Sequence, residues 1–171
     1  MKTAFKILVP IDFSDLSKEA FFVACDIAKR LQGRLLILHV VDYVTPSLFF
    51  AEGMVPPESH TEFLDFRIAK EKQLEELMED ERARGLWIHP IFTTGVPTEE
   101  IVERARRHKA DLIVMSTHGR TGISHFLLGS VAEGVIRKAP CPVLTLNPAV
   151  LSHMKKEELS PFDMERKEIM Q

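Results

Sequence analysis

Apolar runs rich in branched residues punctuate the chain: FKILVP at 5–10, LLILHVV at 35–41, LWIHPIF at 86–92, DLIVMS at 111–116 and PVLTL at 142–146. Runs without polar alternation mark strands covered on both faces. Between them, apolar positions recur at helical spacing: Ala20, Val23, Ala24, Ile27 and Leu31; Phe63, Phe66, Leu74, Leu77 and Met78; Ile101, Val102 and Ala105; Val131, Val135 and Ile136. The order is βαβαβαβαβ. Right-handed crossovers then place helices on both faces of a five-stranded parallel sheet, so the expected class is an α/β three-layer sandwich. A doubly wound, Rossmann-like sheet of order 3-2-1-4-5 puts its switch point between strands one and four.

Boundary signals agree with this parse. Ser14 can cap the first helix, and Gly33 sits just past its end. Pro97 suits the first turn of the third helix, with Glu99 and Glu100 near its positive end. Two stretches stand outside the alternation. Residues 43–60 carry Pro46, Gly53, Pro56 and Pro57 together with Phe49 and Phe50, long for a connection and readable as a lid or a contact surface. The charged residues 148–171, broken by Ser160-Pro161, read as an appendage to a domain spanning 1–147.

Composition narrows the function classes. With 171 residues and 45% hydrophobic content, the chain is large enough for one ordinary core. A net charge of −3 offers no basic footprint for nucleic acid. No run is long and apolar enough for a bilayer, and Pro10 and Asp12 interrupt the N-terminal one, so no membrane association and a cytoplasmic location are expected. Cys25 and Cys141 lack metal-site or C-x-x-C spacing and read as buried free thiols.

The chemistry concentrates in STHGRTGISHFLLGSV, residues 116–131, a glycine-punctuated loop between the fourth strand and the next helix. Such a junction brings backbone N–H groups and the positive end of a helix dipole to one place, which suits phosphate. Neither G-x-x-x-x-G-K-[ST] nor a G-x-G-x-x-G after the first strand is present, which argues against a P-loop NTPase and a dinucleotide enzyme. If the loop after strand four binds a ligand, the end of strand one should contribute. There Asp12 can accept from an adenine amino group or a ribose hydroxyl, or simply begin the turn into the first helix. Ser130 and Glu133 match a capping box, a structural role compatible with phosphate binding at the same helix start. A side chain at Gly129 would keep phosphate from the backbone. His39, inside an apolar strand, reads as a satisfied core histidine; His118 and His125 lack a marked catalytic partner; Trp87 and Phe92 read as packing residues.

These motifs resemble the universal stress protein family over residues 5 to about 147. The family's nucleotide-binding members carry G-x2-G-x9-G-[ST] after strand four, P-x-D near the end of strand one and H-V ending strand two. Here these are Ser116-Thr117-His118-Gly119, nine residues to Gly129, then Ser130; Pro10-Ile11-Asp12; and His39-Val40. The resemblance implies an adenine nucleotide alpha hydrolase-like fold in which Asp12 and Val40 face adenine and Pro10 and Ile11 line the pocket. Met115 and Ser116 would lie along the nucleoside, and Gly119, Gly129, Ser130 and Val131 would hold phosphates. His118, Arg120, Thr121 and Gly122 complete the loop. The departure is Ser116, which stands where the motif has its first glycine.

The function expected from the resemblance is an adenine-nucleotide-binding stress-response or signalling module. It would take ATP, or ADP or AMP, with Mg²⁺, and act as a nucleotide-dependent switch read by a protein effector. Without a P-loop lysine or a recognisable water-positioning arrangement, hydrolysis is expected to be slow at most. Two other classes stand beside it: a weak ATPase or nucleotidyl- or phosphoryl-transferase, and a dimerising scaffold whose pocket Ser116 disables. Strand five, residues 142–147, is an apolar sheet edge, and an edge of this kind invites pairing in a homodimer.

Overall fold

The computed structural model describes residues 4–42, 60–117 and 128–148. Five strands are present among them: β1 (Lys6–Pro10), β2 (Arg34–Val41), β3 (Ile88–Thr94), β4 (Leu112–Ser116) and β5 (Val143–Leu146). All pair in parallel, in the order β3-β2-β1-β4-β5. The helices are α1 (Asp15–Leu31), α2 (His60–Ala83), α3 (Pro97–His108) and α4 (Ser130–Lys138). The expected α/β sandwich and strand order are therefore observed.

Two apolar clusters flank the sheet. On one face Ile7, Val9, Leu35, Ile37 and Val114 meet Phe21, Ala24 and Cys25 of α1 and Leu74 and Met78 of α2. On the other, Leu8, Leu36, Leu38, Ile113 and Met115 meet Ile101 and Ala105 of α3 and Ala132 and Val135 of α4. Each strand thus feeds both layers, which is why its run shows no polar alternation. Leu8, Ile37, Leu38, Ile113 and Val114 are fully buried. Each contributes roughly 1.5–3 kcal/mol of transfer free energy.

The helix ends follow local chemistry. Ser14 caps α1, its Oγ accepting the Ser17 amide at 3.2 Å. Past the left-handed Gln32, the Gly33 amide donates to the Ala28 carbonyl at 2.8 Å. A Cβ at Gly33 would lie 2.7 Å from the Phe5 carbonyl oxygen, so close backbone approach selects glycine there. Pro97 and Glu99 and Glu100 open α3 as expected. Glu100 also accepts from Thr93 at the end of β3 and from Arg104 one turn on, at 2.9 Å each.

Several expectations are corrected. The third strand occupies Ile88–Thr94 rather than 86–92: the Leu86 amide closes the end of α2 on the Glu81 carbonyl, and pairing with β2 runs on to Thr94. Trp87 is not a packing residue. It is 47% exposed, with the Arg34 guanidinium 5.0 Å from its ring centre and His89 stacked beside it. Leu31 and Ile136 share the helical apolar spacing yet are exposed, being at helix positions turned away from the sheet. Both cysteines are free; Cys25 is buried, whereas Cys141 is only half-buried. Burial pushes both thiols up from the ordinary cysteine range. Residues 43–59 and 149–171 lie outside the described residues.

Candidate functional site

Parallel pairing aligns the carboxyl ends of all five strands, and the switch point falls between β1 and β4, where Ile7 pairs with Leu112 and Leu8 with Ile113. The chain leaves β1 through Pro10, Ile11, Asp12 and Phe13. The Ile11 amide donates to the Leu38 carbonyl at 2.8 Å, continuing the ladder one step beyond the strand. Asp12 Oδ1 accepts the Ser14 amide at 3.0 Å and the Ser14 hydroxyl at 2.6 Å, an Asx turn that opens α1. That turn realises the structural alternative for one carboxylate oxygen. Phe13 adopts a φ of 67°, uncommon for a residue with a side chain and a mark of a constrained loop.

His39 is 6% exposed, and its Nδ1 lies 2.7 Å from the Ile11 carbonyl oxygen. A carbonyl only accepts, so Nδ1 carries the proton. The ring packs against Phe13 and Phe92, with centroid separations of 4.8 and 5.5 Å. The reading of His39 as a satisfied buried histidine therefore holds, and Phe92 is a packing residue.

At β4, Met115 is buried in the α3/α4 cluster, with Val40 of β2 and Val131 of α4 packed against that cluster. Ser116 ends the strand, half-buried. The next residue, Thr117, seals the base of the glycine loop. Its amide and Oγ1 both donate to the Leu146 carbonyl, at 2.8 and 3.1 Å, while its own carbonyl accepts the Gly129 amide at 2.8 Å. Residues 117 and 129 are thereby held together, so the start of α4 stands beside the end of β4. Sequence reasoning passed over Thr117; a polar residue directly after an apolar strand, at the root of a glycine loop, was the available signal.

The helix start differs from the expected capping box. Gly129, not Ser130, is the N-cap, with φ −61° and ψ 144° and no side-chain cap bond. Ser130 is the first helical residue, and Glu133 pairs with Arg137 at 2.9 Å instead of reaching back. The first intrahelical bond runs from the Glu133 amide to the Gly129 carbonyl, 2.9 Å. The amides of Ser130, Val131 and Ala132 thus have no acceptor within the helix, the usual state of a helix N-terminus and the one that suits an anion.

The structure therefore brings Pro10, Ile11, Asp12, Val40, Met115, Ser116, Gly129, Ser130 and Val131 to one end of the sheet. The Ile11 side chain belongs to the α1/α2 cluster, and its amide and carbonyl are bonded to Leu38 and His39 of β2. His118, Gly119, Arg120, Thr121, Gly122 and His125 lie outside the described residues. Among the described residues, no group of three or more His, Cys, Asp or Glu side chains could hold a metal ion.

Comparison with known proteins accounts for this arrangement. The family model described as the universal stress protein family matches residues 4–147. The chain belongs to that family. It is 43% identical over 143 residues to the universal stress protein MJ0531 of Methanocaldococcus jannaschii, covering 82% of this chain and 81% of the relative. The solved structure of MJ0577, from the same organism, has a TM-score of 0.70 at 28% identity and spans 85% of this chain and 96% of that one. A universal stress protein crystallised in complex with cAMP has a TM-score of 0.61 at 26% identity, over 85% of this chain and 98% of that one. No helix among the described residues is long and apolar enough to cross a membrane.

Proposed function

We propose that this universal stress protein binds an adenine nucleotide at the β1/β4 switch point and acts as a nucleotide-dependent module in signalling or stress response. The observation that carries the reading is the Thr117–Gly129 clamp, which sets the open amides of α4 beside the end of β4. The relative crystallised with cAMP supports the adenine part.

In this reading Asp12 and Val40 face the base, with Pro10 and Ile11 beside them. A carboxylate at the adenine amino group discriminates against guanine, whose O6 is an acceptor. Met115 and Ser116 lie along the nucleoside. The amides of Ser130 and Val131, with Gly129 leaving room for their approach and with His118, Gly119, Arg120 and Gly122 of the loop, take the phosphates. Mg²⁺ is then held through phosphate oxygens and water rather than by a protein cage. Hydrolysis is slow at most, and the response passes through occupancy of the site to a protein effector in the cytoplasm.

The nucleotide-binding unit is residues 1–147, with 148–171 appended. Among the described residues β5 pairs only with β4, and Leu144 on it is 40% exposed, so this edge supports a homodimer through residues 142–147. Titration calorimetry with ATP, ADP and AMP in the presence of Mg²⁺ tests the reading: saturable binding near one nucleotide per chain is expected. Absence of heat and of any thermal shift with all three would favour a non-binding scaffold instead.

A further inference from the structure

The loop that follows β1 at the base end of the site is held from β2 and α2, and two of its contacts meet at the His39 imidazole. Pairing between β1 and β2 ends at Pro10 and Leu38, so the residues beyond it need other supports. Ile11 has both backbone groups tied to β2: its amide to Leu38 and its carbonyl to His39 Nδ1, at 2.8 and 2.7 Å. Phe13 is held on the far side of Asp12 by the same ring, 4.8 Å between centroids. Lys70 of α2, itself 7% exposed, adds its Nζ at 5.2 Å from the Phe13 ring and 5.4 Å from Phe66. A non-glycine residue at φ 67° persists only where its surroundings over-determine it, and here His39 of β2 and Lys70 of α2 both bear on its ring.

We propose that His39 is the positioning residue for base recognition: by bonding the Ile11 carbonyl and backing the Phe13 ring, it fixes both neighbours of Asp12. The inference rests on the adenine-nucleotide reading above. A leucine or phenylalanine would fill this apolar strand without a buried polar group. The imidazole instead directs its Nδ1–H at the Ile11 carbonyl of the loop. A loop fixed at both flanks loses little freedom when ligand arrives, so its order is provided before binding rather than drawn from the binding energy.

His39→Leu removes the donor, and His39→Asn keeps an N–H near the Nδ1 position. Affinities for ATP and for GTP, measured by competition alongside the melting temperature, separate positioning from general support. His39→Leu is expected to weaken ATP at least tenfold while GTP changes less than twofold, and His39→Asn to return ATP to within threefold of the native protein. Phe13→Gly, which takes a positive φ without strain but lacks the ring, gives the same ATP-selective loss and serves if His39→Leu does not fold. An unchanged ATP-to-GTP ratio in these variants, or equal losses for both nucleotides, overturns the role of His39 alone. A native protein that binds no adenine nucleotide overturns the nucleotide reading, and this inference with it.

Discussion

Replacing Gly129 by alanine separates a glycine kept for folding from one kept for a ligand. With φ −61° and ψ 144°, Gly129 stands in a region open to any L-residue, and the amide it donates to Thr117 survives the change. Glycine-to-alanine at a compatible site stabilises by about 0.4–1 kcal/mol through the unfolded chain. In a domain of this size that is an apo melting shift of about 4 °C at most. Phosphate approach to the helix start, in contrast, is blocked by the new methyl group, and a tenfold or greater loss of ATP affinity is expected. At an ATP concentration of about 100 times the native Kd, ligand stabilisation is about 2.7 kcal/mol; a tenfold weaker variant retains about 1.4 kcal/mol. Differential scanning fluorimetry with and without ATP and Mg²⁺ therefore reads the ligand-induced shift falling to about half, over an unchanged or raised baseline. A variant with the native shift refutes the placement of phosphate at α4. A collapsed baseline refutes the claim that Gly129 is conformationally unconstrained.

Ser116→Gly restores the family motif at an extended strand end; it should cost about 0.5–1 kcal/mol in chemical denaturation and raise ATP affinity severalfold, whereas a drop in affinity would make the serine hydroxyl a ligand contact. Gly33→Ala drives a Cβ to 2.7 Å from the Phe5 carbonyl oxygen; the urea midpoint should fall by the equivalent of about 1–3 kcal/mol, with ATP affinity of the folded fraction unchanged. The His108 imidazole is pushed below the usual histidine range by burial and then by His89, Arg107, Arg104 and Lys6. The unfolded chain therefore takes up this proton first as pH falls: the stability associated with neutral His108 is complete above the ordinary histidine value and is lost as pH falls through it to the folded value. His108→Gln should flatten that part of the stability profile, which lies below the ordinary histidine value of 6.5, and a profile identical to the native one would contradict the assignment.

Strand count and helix placement were legible because they rest on periodicity, and the strand order followed from the doubly wound class to which the alternation points. Unbroken runs such as LLILHVV admit only a sheet covered on both faces, and the observed clusters on either side of Ile37 and Leu38 are that pattern in space. Trp87 was misread because hydrophobicity does not say where a strand begins: pairing starts at Ile88, two residues later than expected, so Trp87 precedes it and stays exposed beside Arg34. The capping box failed for a related reason. S-x-x-E spacing at Ser130 and Glu133 is as compatible with an Arg137 ion pair one turn on, and it is the Glu133 amide on the Gly129 carbonyl that makes Gly129 the cap. At the site, the motif spacing identified the two strand ends and the helix start. The roles of Thr117, Phe13 and His39 depend on contacts between segments far apart in sequence, which no local pattern encodes.

Identification of the small molecule carried by the freshly purified protein tests the central claim most directly. After denaturation and removal of the polypeptide, chromatography and mass spectrometry of the supernatant should reveal an adenine nucleotide, and protein stripped of it should rebind ATP with Mg²⁺ near one per chain. A supernatant without nucleotide, together with no binding of ATP, ADP, AMP or cAMP by the stripped protein, would contradict the account.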